Sequence, residues 1–163
     1  MGQQGPLYDL GPCTLTFGGV ELGETRGDVI FRYTEETRPI NEDSKGVSPI
    51  DEIHVGMNCE VEVPMTRVTL QQLATVIPSA TVVGSKLTVK SAVGSQMADS
   101  ANVLVLKPLV GGVASAASKW LTVVKAAPKV DLEITFNNDG QRVYKVLFKG
   151  FVNENNEIFS IGE

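Results

Sequence analysis

The stretch that most constrains this chain is Met57 to Arg67, MNCEVEVPMTR. Cys59, Val61, Val63 and Met65 fall on one side of an extended backbone, and Asn58, Glu60 and Glu62 fall on the other. Strict alternation with a period of two fits a strand with one dry face and one wet face, and it does not fit a helix. Such a strand needs antiparallel neighbours and a core against one side. Pro64 has no amide hydrogen to donate, so the alternation predicts that this point is an edge or a strand end.

The same period recurs along the chain. Cys13 to Phe17 reads as a short strand ending in the Gly18-Gly19 turn, with Val20 to Gly23 continuing it. In Asp28 to Thr34, Val29, Phe31 and Tyr33 oppose Ile30, Arg32 and Thr34. Asp51 to Val55, Lys86 to Lys90, Asn102 to Lys107 and Trp120 to Lys125 are also strand-like, and Gly111 to Ser118 reads as loop. The period changes once. Thr69 and Gln72 have the spacing of a capping box, Leu70, Leu73, Ala74 and Ile77 follow at helical spacing, and Pro78 ends the run. Near the C-terminus, Val130 to Asn137 and Gln141 to Val152 flank Asn138-Asp139-Gly140. That pattern predicts a hairpin pairing Asn137 with Gln141, Glu133 with Lys145, Leu132 with Val146 and Ile134 with Tyr144. The expected fold class is mainly β, a sandwich or small barrel with one helix against it. The expected core is Val29, Phe31, Val61, Val63, Leu73, Leu132, Ile134, Val146 and Phe148. At 163 residues the chain fits one domain, residues 13–163, behind a loose Gly/Pro-rich arm, residues 1–12.

Between the second and third strands, residues 35–50 (EETRPINEDSKGVSPI) break the alternation. So long a polar segment reads as a functional loop or an extended hairpin. It also sits where charge concentrates. From Glu21 to Glu62 there are 11 acidic and 4 basic residues, a net of −7, while the rest of the chain has 8 acidic and 10 basic, a net of +2, together −5. Opposite charge on separate parts of one chain suits a surface that meets a different surface of the next copy. A net acidic chain is also a poor binder of nucleic acid or anionic membrane. No apolar run approaches the roughly 18 residues of a membrane span, and Met1 to Gly11 lacks the pattern of a secretory signal. The composition suits a soluble, intracellular type of domain.

Chemistry is sparse. One histidine and two cysteines exclude multi-histidine metal sites, zinc ribbons and disulfide frameworks, so no metal or other cofactor is expected. His54 stands beside Asp51 and Glu52 but has no nucleophile in an elbow context, and it reads as a surface or interface residue. Cys13 and Cys59 read as small hydrophobes. Glu60 and Glu62 pair on one strand face without aromatic sugar platforms around them. Asn137 to Gly140 lacks the remaining ligands of a calcium loop, and the glycines form no phosphate cradle. No enzyme is expected.

One resemblance covers roughly the first half of the chain. Thr14 to Val29 (TLTFGGVELGETRGDV) resembles the start of tail tube proteins, the major tail proteins of tailed bacteriophages, in which "FGGV-x-LG-x-T-x-GG-V" leads into a second strand. The family then shows a long loop and a phrase like Ser48-Pro49-Ile50-Asp51-Glu52-Ile53. A glycine such as Gly56 follows, then an "E-V-x-V-P" strand, here Glu60 to Pro64, and a short helix, here Thr69 to Ile77. Asp28 stands where the family often has a second glycine.

The resemblance implies a tail-tube-type β-sandwich or barrel of two packed antiparallel sheets, with one short helix and a long loop after the second strand. It implies a structural subunit of rings, usually hexameric, stacked into a tube in the virion tail, with an acidic lumen through which DNA passes during ejection. The partners it implies are copies of the chain, a tape measure protein, a tail terminator, baseplate or tip proteins, and a sheath where the tail contracts. DNA is cargo that does not stick. The loop would reach the adjacent ring through Glu35, Glu36, Arg38, Glu42, Asp43, Lys45 and Asp51. Lys107, Lys119, Lys125 and Lys129 are candidates for the complementary basic surface, and Glu60 and Glu62 for the lumen. Two other readings stay open: the tube protein of a type VI or other contractile injection system, and a carbohydrate-binding or adhesin-like module using Glu60, Glu62 and Trp120.

Overall fold

A computed structural model of the chain describes residues 12–134, 136, 138–140 and 142–162. The expected arm lies outside the described residues apart from Pro12. Eleven strands and one helix appear among those described: β1 (Cys13–Phe17), β2 (Val20–Glu21), β3 (Ile30–Asn41), β4 (Pro49–Met65), α1 (Leu70–Val76), β5 (Ala80–Val83), β6 (Lys86–Val89), β7 (Asn102–Val110), β8 (Val113–Ala114), β9 (Leu121–Val130), β10 (Tyr144–Gly150) and β11 (Phe159–Ile161). The chain is mainly β and every strand pairing is antiparallel.

The expected two packed sheets are one continuous sheet of order β2-β1-β7-β9-β10-β4-β3, with β11 beside β9 and β8 beside β7, plus the separate β5–β6 hairpin. The large sheet curls until its inner face meets itself. Phe17 on β1 and Phe148 on β10 stand three strands apart in the order, yet their ring centroids are 5.0 Å apart. The curl follows from connectivity, because the two edge strands, β2 and β3, are consecutive in sequence. After β2 the chain crosses to the free side of β4, where Thr25 bridges Met65, the Arg26 amide donates to the Pro64 carbonyl (3.0 Å) and the Thr66 amide donates to the Glu24 carbonyl (2.6 Å). Gly23 lies in this crossing. A Cβ there would meet the Arg67 carbonyl at 3.1 Å and the Thr66 carbonyl at 3.2 Å, so a side chain at this point would crowd the crossing.

The inner face carries the core: Leu15, Phe17, Cys59, Val61, Val63, Met65, Leu104, Leu106, Val123, Val146 and Phe148 are all buried. Phe31, Tyr33 and Phe159 close one end, with Phe159 at 5.1 Å and 4.9 Å from the other two rings. Capping box and helix form as the sequence predicts. The Thr69 amide donates to Gln72 Oε1 (2.9 Å) and the Gln72 amide donates to Thr69 Oγ1 (3.2 Å). The buried face of α1 is Leu73 and Val76, and Leu70 is exposed. Over two turns the apolar positions fit either stripe, and docking beside β2 and β5 selects the one that meets Leu22.

Two more expectations change. The C-terminal hairpin slips by two residues: Val146 faces Val130, not Leu132, and Phe148 faces Pro128. A two-residue slip keeps every side chain on its face, so alternation cannot choose between the registers. Residues 131–134 then lie outside any strand. Leu132 is exposed and Ile134 half-buried, and neither joins the core. The expected pairing of Asn137 with Gln141 lies outside the described residues. Gly111 to Ser118, read as loop, folds partly as the β7–β8 turn and a short 3-10 turn from Ala117 to Lys119.

Candidate assembly interface

Of the two readings of residues 35–50, loop or extended hairpin, the structure has the hairpin, of which they form the outer part. β3 runs unbroken through Asn41 and β4 begins at Pro49, and the two stay paired from Ile30–Glu62 to Asn41–Pro49. The apparent break in alternation has a simple origin. A ribbon exposed on both faces places no demand on period, so polar residues occupy both sides. From residue 34 to residue 58 every side is exposed except at Ile40 and Gly56, which are half-buried. At ~3.4 Å per residue the free part reaches about 25 Å past the core.

A bare two-stranded ribbon is marginal on its own. This one is anchored at its base by the curled sheet and held along its length by polar cross-strand contacts. Asn58 Nδ2 donates to Glu36 Oε1 (3.0 Å) and Thr37 Oγ1 donates to Glu52 Oε2 (3.0 Å), while within β3 Tyr33 Oη donates to Glu35 Oε1 (3.0 Å). His54 Nδ1 stands 3.5 Å from Glu35 Oε2. Proximity to Glu35, together with loss of hydration, raises the Tyr33 phenol above its ordinary range, loss of hydration being the larger effect. The register shifts between Glu36 and Thr37, a bulge that adds twist. At the tip, Glu42 to Gly46 close a turn through the Lys45 amide and the Glu42 carbonyl (2.9 Å), with Gly46 at φ +66°. Pro39 interrupts the outer edge of β3, which blunts that edge against indiscriminate pairing.

The ribbon collects the predicted contact residues Glu35, Glu36, Arg38, Glu42, Asp43, Lys45 and Asp51. It also carries apolar groups with nothing over them: Ile53 is 54% exposed, Val55 53% and Met57 47%, and Val47 near the tip is 96% exposed. Ile53, Val55 and Met57 continue the apolar odd positions of Cys59 and Val61, but Asp51 to Val55 alternates like any half-buried strand, and only the missing cover tells the difference.

Glu60 and Glu62 share the outer face of β4 as expected, but cations surround them. Lys145 Nζ is 2.9 Å from Glu62 Oε1 and Arg32 Nη1 is 3.6 Å from Glu62 Oε2. Lys145, first through its hydrogen bond and then through its charge, holds the Glu62 carboxyl below the usual range, with Arg32 adding to it, and Glu62 in turn raises Lys145. Lys149 faces Glu60 across the β10–β4 ladder, and Arg32 faces it across the β3–β4 ladder. Arg32, Lys145 and Lys149 were the missed partners, although the alternation of YKVLFKG already puts both lysines on one side.

The predicted basic surface is dispersed. Lys107 Nζ lies 4.4 Å over the Trp120 ring, a cation–π contact that occupies both. Lys119 sits in the 3-10 turn before β9, and Lys125 and Lys129 lie on β9. Trp120 donates its Nε1 hydrogen to the Ser115 carbonyl (2.9 Å), at the far end of β9 from Ala127, the residue level with Lys149. It therefore shares no surface with the concavity of about 200 Å³ lined by Arg32, Thr34, Asn58, Glu60 and Lys149. Burial and then Glu60 push the Cys59 thiol up to about 11, and burial raises Cys13, so both are thiols at neutral pH. Among the described residues no group of three or more His, Cys, Asp or Glu side chains is placed to hold a metal, and no helix is long and apolar enough to cross a membrane. No protein-family model matches the chain, and no curated protein matches its sequence.

Proposed function

We propose that this chain is a structural subunit that assembles with copies of itself into stacked rings, the tube of a bacteriophage tail. The observation that supports the reading most is the ribbon of residues 34–58, which projects from a finished core and buries nothing in a single copy. A chain gains little by maintaining such an element unless something covers it, and uncovered apolar residues on a regular strand pair mark an interaction surface. The resemblance of Thr14 to Val29 and of Glu60 to Pro64 to tail tube proteins supports this kind of assembly, and it implies an inter-ring segment at residues 35–50.

In this reading the ribbon reaches the neighbouring ring, sheet edges pair around the ring, and DNA passes through without sticking because carboxylates repel phosphate. Glu60 and Glu62 do not by themselves make a lumen acidic, since Arg32, Lys145 and Lys149 stand beside them. The tape measure protein, terminator, baseplate or tip, and any sheath are the further partners of such a tube, and the virion tail is its location. A carbohydrate-binding module needs an open aromatic face, and Trp120 gives its ring to Lys107 instead.

Negative-stain electron microscopy of the full chain, with sedimentation velocity over a concentration series, tests the proposal. Rings or hollow tubes are expected. A chain that stays monomeric over the whole series overturns it.

A further inference from the structure

Two arginines stand together where the β10–β4 ladder ends. The last pair of that ladder is Tyr144 with Met65. Arg142 and Arg67 each lie two residues beyond it, and the buried Thr66 ties the two segments by donating its hydroxyl hydrogen to the Arg142 carbonyl (3.1 Å). Both arginines line a concavity of about 320 Å³ with Thr66, Val68 and Tyr144. Arg142 also walls a second one, of about 530 Å³, whose other lining residues among those described are Phe136, Asn138 and Gly140.

Neither arginine is accounted for by the fold. Arg67 has φ +50°, in the left-handed region, where a side chain is strained and glycine is not. A bare turn would be served better by glycine, so what arginine adds at this point is its guanidinium. Glu24 stands 3.6 Å from it, but both side chains are largely exposed, and such a pair is too weak to repay the strain. The Arg142 guanidinium lies 4.5 Å over the Phe136 ring, which orients its plane and leaves its edge donors to take a bidentate acceptor. Among the described residues no carboxylate lies within 4.0 Å of it. The other carboxylates of the neighbourhood serve elsewhere: Asp131 and Glu133 bear on Lys145, and Asp139 is exposed in the turn. Phe136 is itself 73% exposed.

We propose that Arg67 and Arg142 bind the phosphate of a small aromatic phosphate monoester, whose organic part rests in the adjoining concavity against Phe136. Two guanidinium forks in one concavity suit a dianion better than a single carboxylate. The exposed ring beside them gives the ligand an apolar contact that inorganic phosphate cannot use. The site lies at the opposite end of β4 from the ribbon, and it does not depend on the self-assembly reading.

Equilibrium dialysis of the full chain against phenyl phosphate, near pH 8 where the monoester is a dianion, tests it. Saturable binding of one ligand per chain is expected, with inorganic phosphate and benzoate each weaker by about tenfold or more. Arg142→Gln, the charge-conserving Arg142→Lys and Arg67→Gly should each weaken phenyl phosphate by about tenfold or more. Arg67→Gly should keep the wild-type circular dichroism spectrum and melt no lower than wild type, since glycine takes φ +50° without strain. Phe136→Leu should weaken phenyl phosphate and leave inorganic phosphate unchanged. Absence of saturable binding, or wild-type affinity in the folded Arg67→Gly and Arg142→Gln variants, overturns the proposal. Benzoate binding as tightly as phenyl phosphate overturns the choice of phosphate, and inorganic phosphate binding as tightly overturns the role of Phe136.

Discussion

Removing the ribbon should separate folding from assembly. Glu36 faces Gly56 directly across the β3–β4 ladder. Residues 37–55 can therefore be replaced by Asn-Gly, which closes a two-residue hairpin with the twist the strands need. No residue in the deleted segment is buried, and its cross-strand hydrogen bonds are exposed, so the folded state loses little. The unfolded state changes more. Shortening the connection from 19 residues to two lowers the loop-closure cost by about 2 kcal/mol on logarithmic scaling. The expected result is a monomer whose urea-unfolding free energy equals the wild-type value or exceeds it by up to about 2 kcal/mol, compared at dilutions where both chains are monomeric. The same variant should form no rings or tubes at any concentration. A loss of more than about 2 kcal/mol would show that the ribbon supports the core, and normal assembly would show that it is not the interface.

Three further outcomes follow from the packing and the charges. Phe148→Ala removes a fully buried ring that packs at 5.0 Å on Phe17 and should cost about 3–5 kcal/mol in urea unfolding. Thr69→Ala breaks the reciprocal capping box and should cost about 1 kcal/mol, with Thr69→Ser retaining most of it. Glu62→Gln should lower the urea midpoint at neutral pH. Because Glu62 is held below the usual carboxylate range in the folded chain, its contribution is present above the unfolded value and is lost as pH falls through the folded one, so the gap to wild type should close in acid.

What could be read in the sequence divides by whether a residue's environment is local. Alternation in Cys59 to Met65 and the Thr69–Gln72 box specify their own geometry, and both appear in the fold as expected. The C-terminal hairpin was legible in face but not in register, since Val130 and Leu132 have the same parity and only the sheet around them chooses. The single curled sheet was not legible, because alternation says which way a side chain points and nothing about which strands adjoin. The candidate site shows the same limit. Acidity marked Glu35 to Asp51 as unusual, but the strand pairing behind it depends on partners in β4. The cations around Glu62 come from β3 and β10, more than 80 residues apart in the case of Lys145.

The place of β10 in the sheet has a consequence for the order of events on the ribosome. β3 and β4 are sequence neighbours and close on each other as soon as both have emerged, whereas β10 bridges β9 and β4 and arrives only with residues 144–150. Until then the sheet is two fragments, β2-β1-β7-β9 and β4-β3, with open edges toward each other. The nascent chain thus displays its ribbon early, while the face bearing Lys129 and Lys149 is completed last. Closure of the sheet, and with it the burial of Val146 and Phe148, therefore waits for β10.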